Sequence, residues 1–183
     1  MKTVIGLSGA LRKGSSNASL LRAASELSPA ELTIEIATIA GIPLYDGDVE
    51  RESGVPAIVA ALKDRIARAD GLLLVTPEYN SGIPGVFKNA IDWLSRPASD
   101  IPRVFGGKRV ALMGATPGRA GTRLSQNAWL AVLRTLGAQL WTGEQLFVAG
   151  AGQVFDEQGV LVDAAVRKLL TRFMAGFAKE VGA

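Results

Sequence analysis

Residues 72–75 form an unbroken apolar run, L-L-L-V, the pattern of a strand covered on both faces in the middle of a parallel sheet. Thr76 and Pro77 end it. Pro84 suits the first turn of a helix, where its missing N–H costs nothing, and Phe87, Ile91 and Leu94 then recur at helical spacing. The polar turn at 78–83 therefore joins the carboxyl end of a strand to the amino end of a helix.

The same patterns divide the rest of the chain. Residues 3–7 (T-V-I-G-L) predict a first buried strand, 8–17 a polar glycine loop, and the following residues a helix to about Leu27, capped by Ser15 or Ser16. Residues 32–36 (L-T-I-E-I) alternate apolar and polar, which places that strand at a sheet edge. Residues 40–54 read as a long solvated loop carrying Asp46, Asp48, Glu50 and Glu52. Its D-G-D-V-E has a glycine in the wrong place for a calcium loop and no bidentate glutamate at the needed distance. Pro56 opens a helix with Val59, Leu62, Ile66 and Ala69 on one face. After a Pro/Gly connector at 97–108, residues 110–113 predict another buried strand and 114–121 a third glycine loop. The next helix has Leu124, Ala128, Val132 and Leu136 at every fourth position and Gly137 as its stop. Residues 140–148 predict the fifth strand, 150–159 a turn region, and Asp163 the cap of a last helix carrying Val166, Leu169, Phe173 and Phe177.

Strands alternating with helices across short loops demand a parallel sheet covered on both faces. With the second strand at an edge, the expected fold is a flavodoxin-like three-layer α/β/α sandwich, its five-stranded parallel sheet in the order 2-1-3-4-5, forming one domain over residues 1–183. In a sheet of that order, ligands bind in the crevice where the strand order reverses, between the carboxyl ends of strands one and three. The loops at 8–17 and 77–83 face each other across it.

Composition narrows the chemistry. The chain has no cysteine and no histidine, which removes thiol chemistry, disulfides and imidazole bases. The net charge of +3 comes from scattered basic residues, so no nucleic-acid partner is expected. No apolar run approaches a membrane span and the N-terminus lacks a signal-peptide pattern, which makes a soluble, cytoplasmic protein with no membrane partner the expectation. Gly9 and Gly14 have P-loop spacing, but Ser15 stands where that motif needs lysine, and there is no G-x-G-x-x-G. The loop suits a single phosphate, with Arg12 and several hydroxyls beside it. For this loop alone, an ordinary glycine-rich βα turn with a serine cap is the commoner arrangement.

On G-A-L-R-K-G-S-S-N (9–17), I-P-L-Y-D-G-D-V (42–49) and above all P-E-Y-N-S-G-I-P-G-V-F-K-N-A-I-D-W-L-S-R-P (77–97), nearly the whole chain resembles the NADPH-dependent FMN reductase family, the flavodoxin-like group of soluble quinone, azo-dye and chromate reductases. Ala10 departs from the family's usual G-S-x-R. The resemblance implies that Arg12, Ser15 and Asn17 bind the FMN phosphate and ribityl chain. It further implies that Pro77, Glu78, Tyr79, Asn80 and Ser81 border the isoalloxazine ring, with Thr116 and Gly118 of the third loop on its other side. Lys88, Asn89, Asp92 and Trp93 read as structural, Asp92 and Arg96 having i,i+4 spacing for an ion pair. Glu78 reads as a residue that shapes the turn or contacts neighbours, since no histidine or second acid is fixed beside it. The implied reaction needs no catalytic side chain: NADPH or NADH passes hydride to FMN N5, and a quinone, free flavin, azo compound or metal oxyanion is then reduced, with ping-pong kinetics. A homodimer or homotetramer is implied as well. The competing readings are a flavodoxin-type electron carrier, whose acidity and T/S-x-T-G-x-T loop are missing here, and a receiver-like domain, which needs acids after strand one where Ser8 and Gly9 stand.

Overall fold

In the computed structural model, residues 1–182 are described. The chain runs β1 (Lys2–Ser8), α1 (Ser16–Glu26), β2 (Leu32–Ala37), α2 (Gly47–Ser53), α3 (Ala57–Arg68), β3 (Gly71–Val75), α4 (Gly85–Leu94), a 3₁₀ turn (Ala98–Asp100) leading into α5 (Ile101–Val104), and β4 (Arg109–Ala115). It continues through α6 (Arg123–Thr135), β5 (Gln139–Leu140), β6 (Leu146–Val148), α7 (Ala151–Val154) and α8 (Ala164–Gly182). The sheet is parallel, in the order β2-β1-β3-β4-β5, with β6 also on β4. This is the flavodoxin-like arrangement expected, with β2 at the edge.

The two-residue period of the strands sorts their side chains between two apolar layers. On one face Val4, Leu73, Val75, Ala111 and Met113 pack against Leu20 of α1 and Phe173 and Phe177 of α8. On the other, Ile5, Leu7, Leu72, Leu74 and Val110 meet Ile66 of α3, Ile91 of α4 and Trp129 of α6. Both sides of β3 are fully buried, as its unbroken apolar run requires. Every βα loop consequently emerges at one end of the sheet.

Four details differ from the sequence expectation. The fifth strand is two short segments, because the chain leaves the ladder after Leu140. Trp141 turns into α8, with ring centroids 5.0 Å from Phe173 and 5.6 Å from Phe177, and the polar residues after it do not pair until Leu146. The acidic loop holds a helix, α2, that buries none of its residues and so leaves no apolar period to read. Asp46 caps it by accepting the Asp48 N–H at 2.8 Å, acids in its first turn suit the helix dipole, and Gly54 at φ 74° ends it. Third, α6 is rotated from its apparent stripe: Leu124 and Ala128 face solvent, while Ser125, Gln126, Trp129 and Leu133 are buried. Likewise Leu170 of α8 is buried where Leu169 is exposed. Fourth, Asp92 pairs with Lys88 at 2.7 Å, not with Arg96. The Arg96 guanidinium bonds to Glu50 of α2 at 2.8 Å. Tyr45 donates its hydroxyl to the same carboxylate at 2.9 Å and sits edge-on to Trp93, so α2 is tied down through polar contacts.

Asp163 does cap α8, accepting the Val166 N–H at 2.8 Å. Among the described residues no helix is long and apolar enough to cross a membrane, and no cluster of acids could hold a metal ion.

Candidate functional site

The first wall of the crevice is built by the loop after β1. The Gly9 N–H bonds to the Val75 carbonyl at 2.9 Å, and a Cβ at Gly9 would lie 2.3 Å from the Phe87 ring and 2.9 Å from Pro77. Only glycine lets the loop lie this close to β3 and α4. Ser15, 2% exposed, caps α1 by accepting the Ala18 N–H at 3.3 Å. The first-turn amides of α1, those of Ser16 and Asn17, have no acceptor within the helix, and they stand at its positive dipole end. Arg12 lies exposed at the rim, its guanidinium bonded to the Gly14 carbonyl at 3.0 Å. At Ala10, the position that departs from the family pattern, the backbone N–H reaches the Ser8 hydroxyl at 3.4 Å.

Asn17 has a more specific part than its place in the loop implies. Its side-chain amide donates to the Ala115 carbonyl at 2.8 Å and accepts the Ala115 N–H at 2.9 Å, in a buried two-bond clamp. The first and third loops are held together by it.

The second wall follows β3. Thr76, wholly buried, donates its hydroxyl to the Pro77 carbonyl at 2.9 Å and is bonded to Ser125 at 2.9 Å and to the Trp129 indole N–H at 3.1 Å. This hub sets the rotation of α6. Pro77 is buried and Glu78 half-buried, and the Glu78 carboxylate accepts the N–H groups of Leu124 and Ser125 at 2.8 and 3.1 Å. Thr122, at the N-cap position, makes no side-chain cap bond, so Glu78 caps α6 from another loop. Tyr79 and Gly82 exchange backbone bonds of 3.2 and 3.0 Å across Asn80 and Ser81, whose φ values of 50° and 62° are those a tight hairpin turn with two left-handed residues needs. The Tyr79 ring is left 48% exposed at the crevice mouth.

The third wall follows β4. Thr116 accepts the Gly118 N–H on its hydroxyl at 3.3 Å and donates its own N–H to the Val148 carbonyl at 2.9 Å, while the Gly118 carbonyl accepts from Gly150.

Arg12, Ser15, Asn17, Pro77, Glu78, Tyr79 and Thr116 thus converge on one cleft. Asn80, Ser81 and Gly118 do not line it; they form the turns that hold its walls. Ala10, Ser16, Ala115 and Pro117 line it too. Glycine-loop position marks out Ser16, but Ala10, Ala115 and Pro117 have no polar side chain to signal a place in the site. The cleft encloses about 70 Å³, far below the roughly 300–1,000 Å³ of pockets that engulf a small molecule. A cleft of this size has room only for the narrow end of a ligand. Free amides and a helix dipole at the start of α1, with the Arg12 guanidinium at the rim beside them, form a donor set that fits the phosphate of FMN.

The family described as NADPH-dependent FMN reductase matches residues 2–153. An NAD(P)H-dependent FMN reductase of Pseudomonas aeruginosa is 42% identical over 167 residues, covering 91% of this chain and 88% of that protein. A 2-hydroxy-1,4-benzoquinone reductase of a Burkholderia species is 38% identical over 173 residues, covering 94% and 92%. Among solved structures, the flavoenzyme NAD(P)H:(acceptor) oxidoreductase FerB from Paracoccus denitrificans superposes with a TM-score of 0.88 at 31% identity, over 100% of this chain and 98% of its own. With that match spanning β1 to α7 and all three walls of the cleft, the chain belongs to the NADPH-dependent FMN reductase family and is an FMN-dependent oxidoreductase.

Proposed function

We propose that this protein uses NAD(P)H to reduce quinones and free flavin through bound FMN, with ping-pong kinetics. The observation that carries the reading is the cleft itself, with the free α1 amides and Arg12 at one end and the exposed Tyr79 at its mouth. Arg12, Ser15 and the amides of Ser16 and Asn17 hold the phosphate in this reading. Pro77, Glu78 and Tyr79 border the ring on one side, and Thr116 and Pro117 on the other. Asn80, Ser81 and Gly118 act by fixing those turns. FMN, when bound, supplies the hydride chemistry, accepting from a nicotinamide and delivering to an acceptor. The side chains position and shield, and an open rim lets donor and acceptor occupy the same face in turn. Quinones, azo compounds and metal oxyanions are acceptors compatible with such a face. Residues 1–183 work as one FMN-binding domain, as a homodimer or homotetramer in the cytoplasm.

Initial rates at several fixed concentrations of a benzoquinone, with NADPH or NADH varied, test the reading. Parallel double-reciprocal lines and bleaching of the bound flavin by either nicotinamide are expected. Protein that retains no flavin, or intersecting lines, would overturn it. Flavin that is bound but not reduced by either nicotinamide would favour an electron carrier fed by a protein partner.

A further inference from the structure

Beside the cleft, and sharing Arg12, Ser16 and Pro117 with it, lies a groove of about 550 Å³ between α1 and the turn after α7. Its size falls within the roughly 300–1,000 Å³ of small-molecule pockets, whereas the cleft it adjoins does not. Nothing in the quinone reductase reading uses it, because in that reading FMN ends at its phosphate, and the groove continues beyond the Arg12 and Ser16 end of the cleft.

We propose that this groove takes the adenylate half of a flavin dinucleotide, so that the protein accepts FAD as well as FMN. The inference rests on FMN occupying the cleft with its phosphate at α1. A ligand that continues past that phosphate can enter this groove, whose α1 side carries Ser16 and Arg22, with Ser19 buried between them. Arg22 lies six residues beyond Ser16, about 9 Å along the helix axis, which is within reach of a second phosphate and its ribose. Its guanidinium is exposed and steadied by a 2.9 Å bond to the Ser19 hydroxyl. The opposite wall is acidic. Asp156 and Glu157 line it, Asp156 using one carboxylate oxygen on the N–H groups of Gln158 and Val160 at 3.0 and 2.7 Å. Gly159, at φ 77°, closes the turn onto α1, where a Cβ would come 2.5 Å from the Ser19 hydroxyl and 2.7 Å from the Arg22 guanidinium. Arg12 before α1 and Arg22 on it therefore offer cations to a pyrophosphate, and carboxylates stand opposite, where ribose hydroxyls can donate to them.

The test loads the full-length protein with FMN, equilibrates it with rising FAD, removes free flavin, and identifies the flavin retained by chromatography. Wild-type protein should exchange FMN for FAD at concentrations within about tenfold of those at which FMN itself exchanges. Arg22→Ala should raise the FAD requirement about tenfold, Arg22→Lys should recover part of that loss, and FMN retention and FMN-supported quinone reduction should be unchanged in both. Retention of FMN against about a hundredfold excess of FAD, or an equal effect of Arg22→Ala on both flavins, would overturn the inference while leaving the FMN reading intact. So would a rise in the NADPH KM of Arg22→Ala with FAD exchange unaltered, since the groove would then serve the donor. Protein that holds neither flavin would overturn both readings.

Discussion

Asn17 shows how a single side chain can serve the site by joining two of its walls. Both ends of its amide bond to the peptide of Ala115, 98 positions along the chain, and so fix the gap between the phosphate loop and the third wall. Asn17→Ala leaves a buried N–H and a buried carbonyl unpaired, each costing about 1–3 kcal/mol. We expect a loss of about 2–4 kcal/mol in urea unfolding, together with weaker flavin retention. Asn17→Asp keeps an acceptor for the Ala115 N–H but sets a carboxylate against the Ala115 carbonyl, and it should be no more stable than the alanine variant. Equal stability of the aspartate variant and the wild type would show that the clamp contributes nothing. The sequence marks Asn17 as important through the loop it occupies. Its partner is invisible there, because no local pattern links residues so far apart, and only the pairing of β4 beside β3 brings Ala115 within reach.

At the scale of elements, Glu78 replaces a cap that α6 does not supply for itself. It accepts two first-turn N–H groups of that helix, so the turn on the second wall is tied to the start of α6. Glu78→Ala should cost about 1 kcal/mol, the usual effect of removing an N-terminal cap, whereas Glu78→Gln, which keeps a carbonyl oxygen, should retain most of it; thermal unfolding of the two variants side by side separates these outcomes. Asp70 joins β3 to β1 in a comparable way, accepting the Thr3 N–H at 2.8 Å and the Lys2 ammonium at 3.1 Å. The Thr3 amide, followed by Lys2, holds its carboxyl below the ordinary value, against the opposing effect of partial burial. A carboxylate lowered in the folded state stabilises fully above its unfolded pKa of about 4 and loses that contribution as pH falls through the folded value. Asp70→Ala should therefore be less stable at neutral pH by about 1 kcal/mol, a figure already discounted for solvent screening. The gap to wild type should close as unfolding is followed from pH 5 down to pH 2 or so. A gap independent of pH would assign the loss to packing.

For the molecule as a whole, strand order and the position of the cleft were legible because they depend on patterns within single segments: an all-apolar β3, an alternating β2, and glycine loops where strands end. What escaped depends on contacts between segments. The face α6 buries is chosen by hydrogen bonds from Ser125 and Trp129 to Thr76, so a helix carrying Leu124 and Leu130 on its exposed side shows the wrong stripe when read alone. Helix α2 escaped because polar ties from Glu50 to Arg96 and Tyr45 hold it where an apolar face otherwise would. The site has the same composite nature, since its three walls come from loops after β1, β3 and β4 that touch through the Asn17 clamp and the Glu78 cap. A ligand seated among them binds only the assembled state, and at about 100 times its Kd it adds about 2.7 kcal/mol to folding. In a chain of this size, 1 kcal/mol moves the unfolding midpoint by about 2–4 °C. Removing FMN should thus lower the midpoint by about 5–10 °C, and adding it back should restore it in proportion to the logarithm of its free concentration. Riboflavin, which lacks the phosphate, should restore far less, because the α1 end of the cleft offers free amides and the Arg12 guanidinium to an anion. Equal protection by riboflavin would place the binding energy on the open rim and remove the phosphate loop from the site.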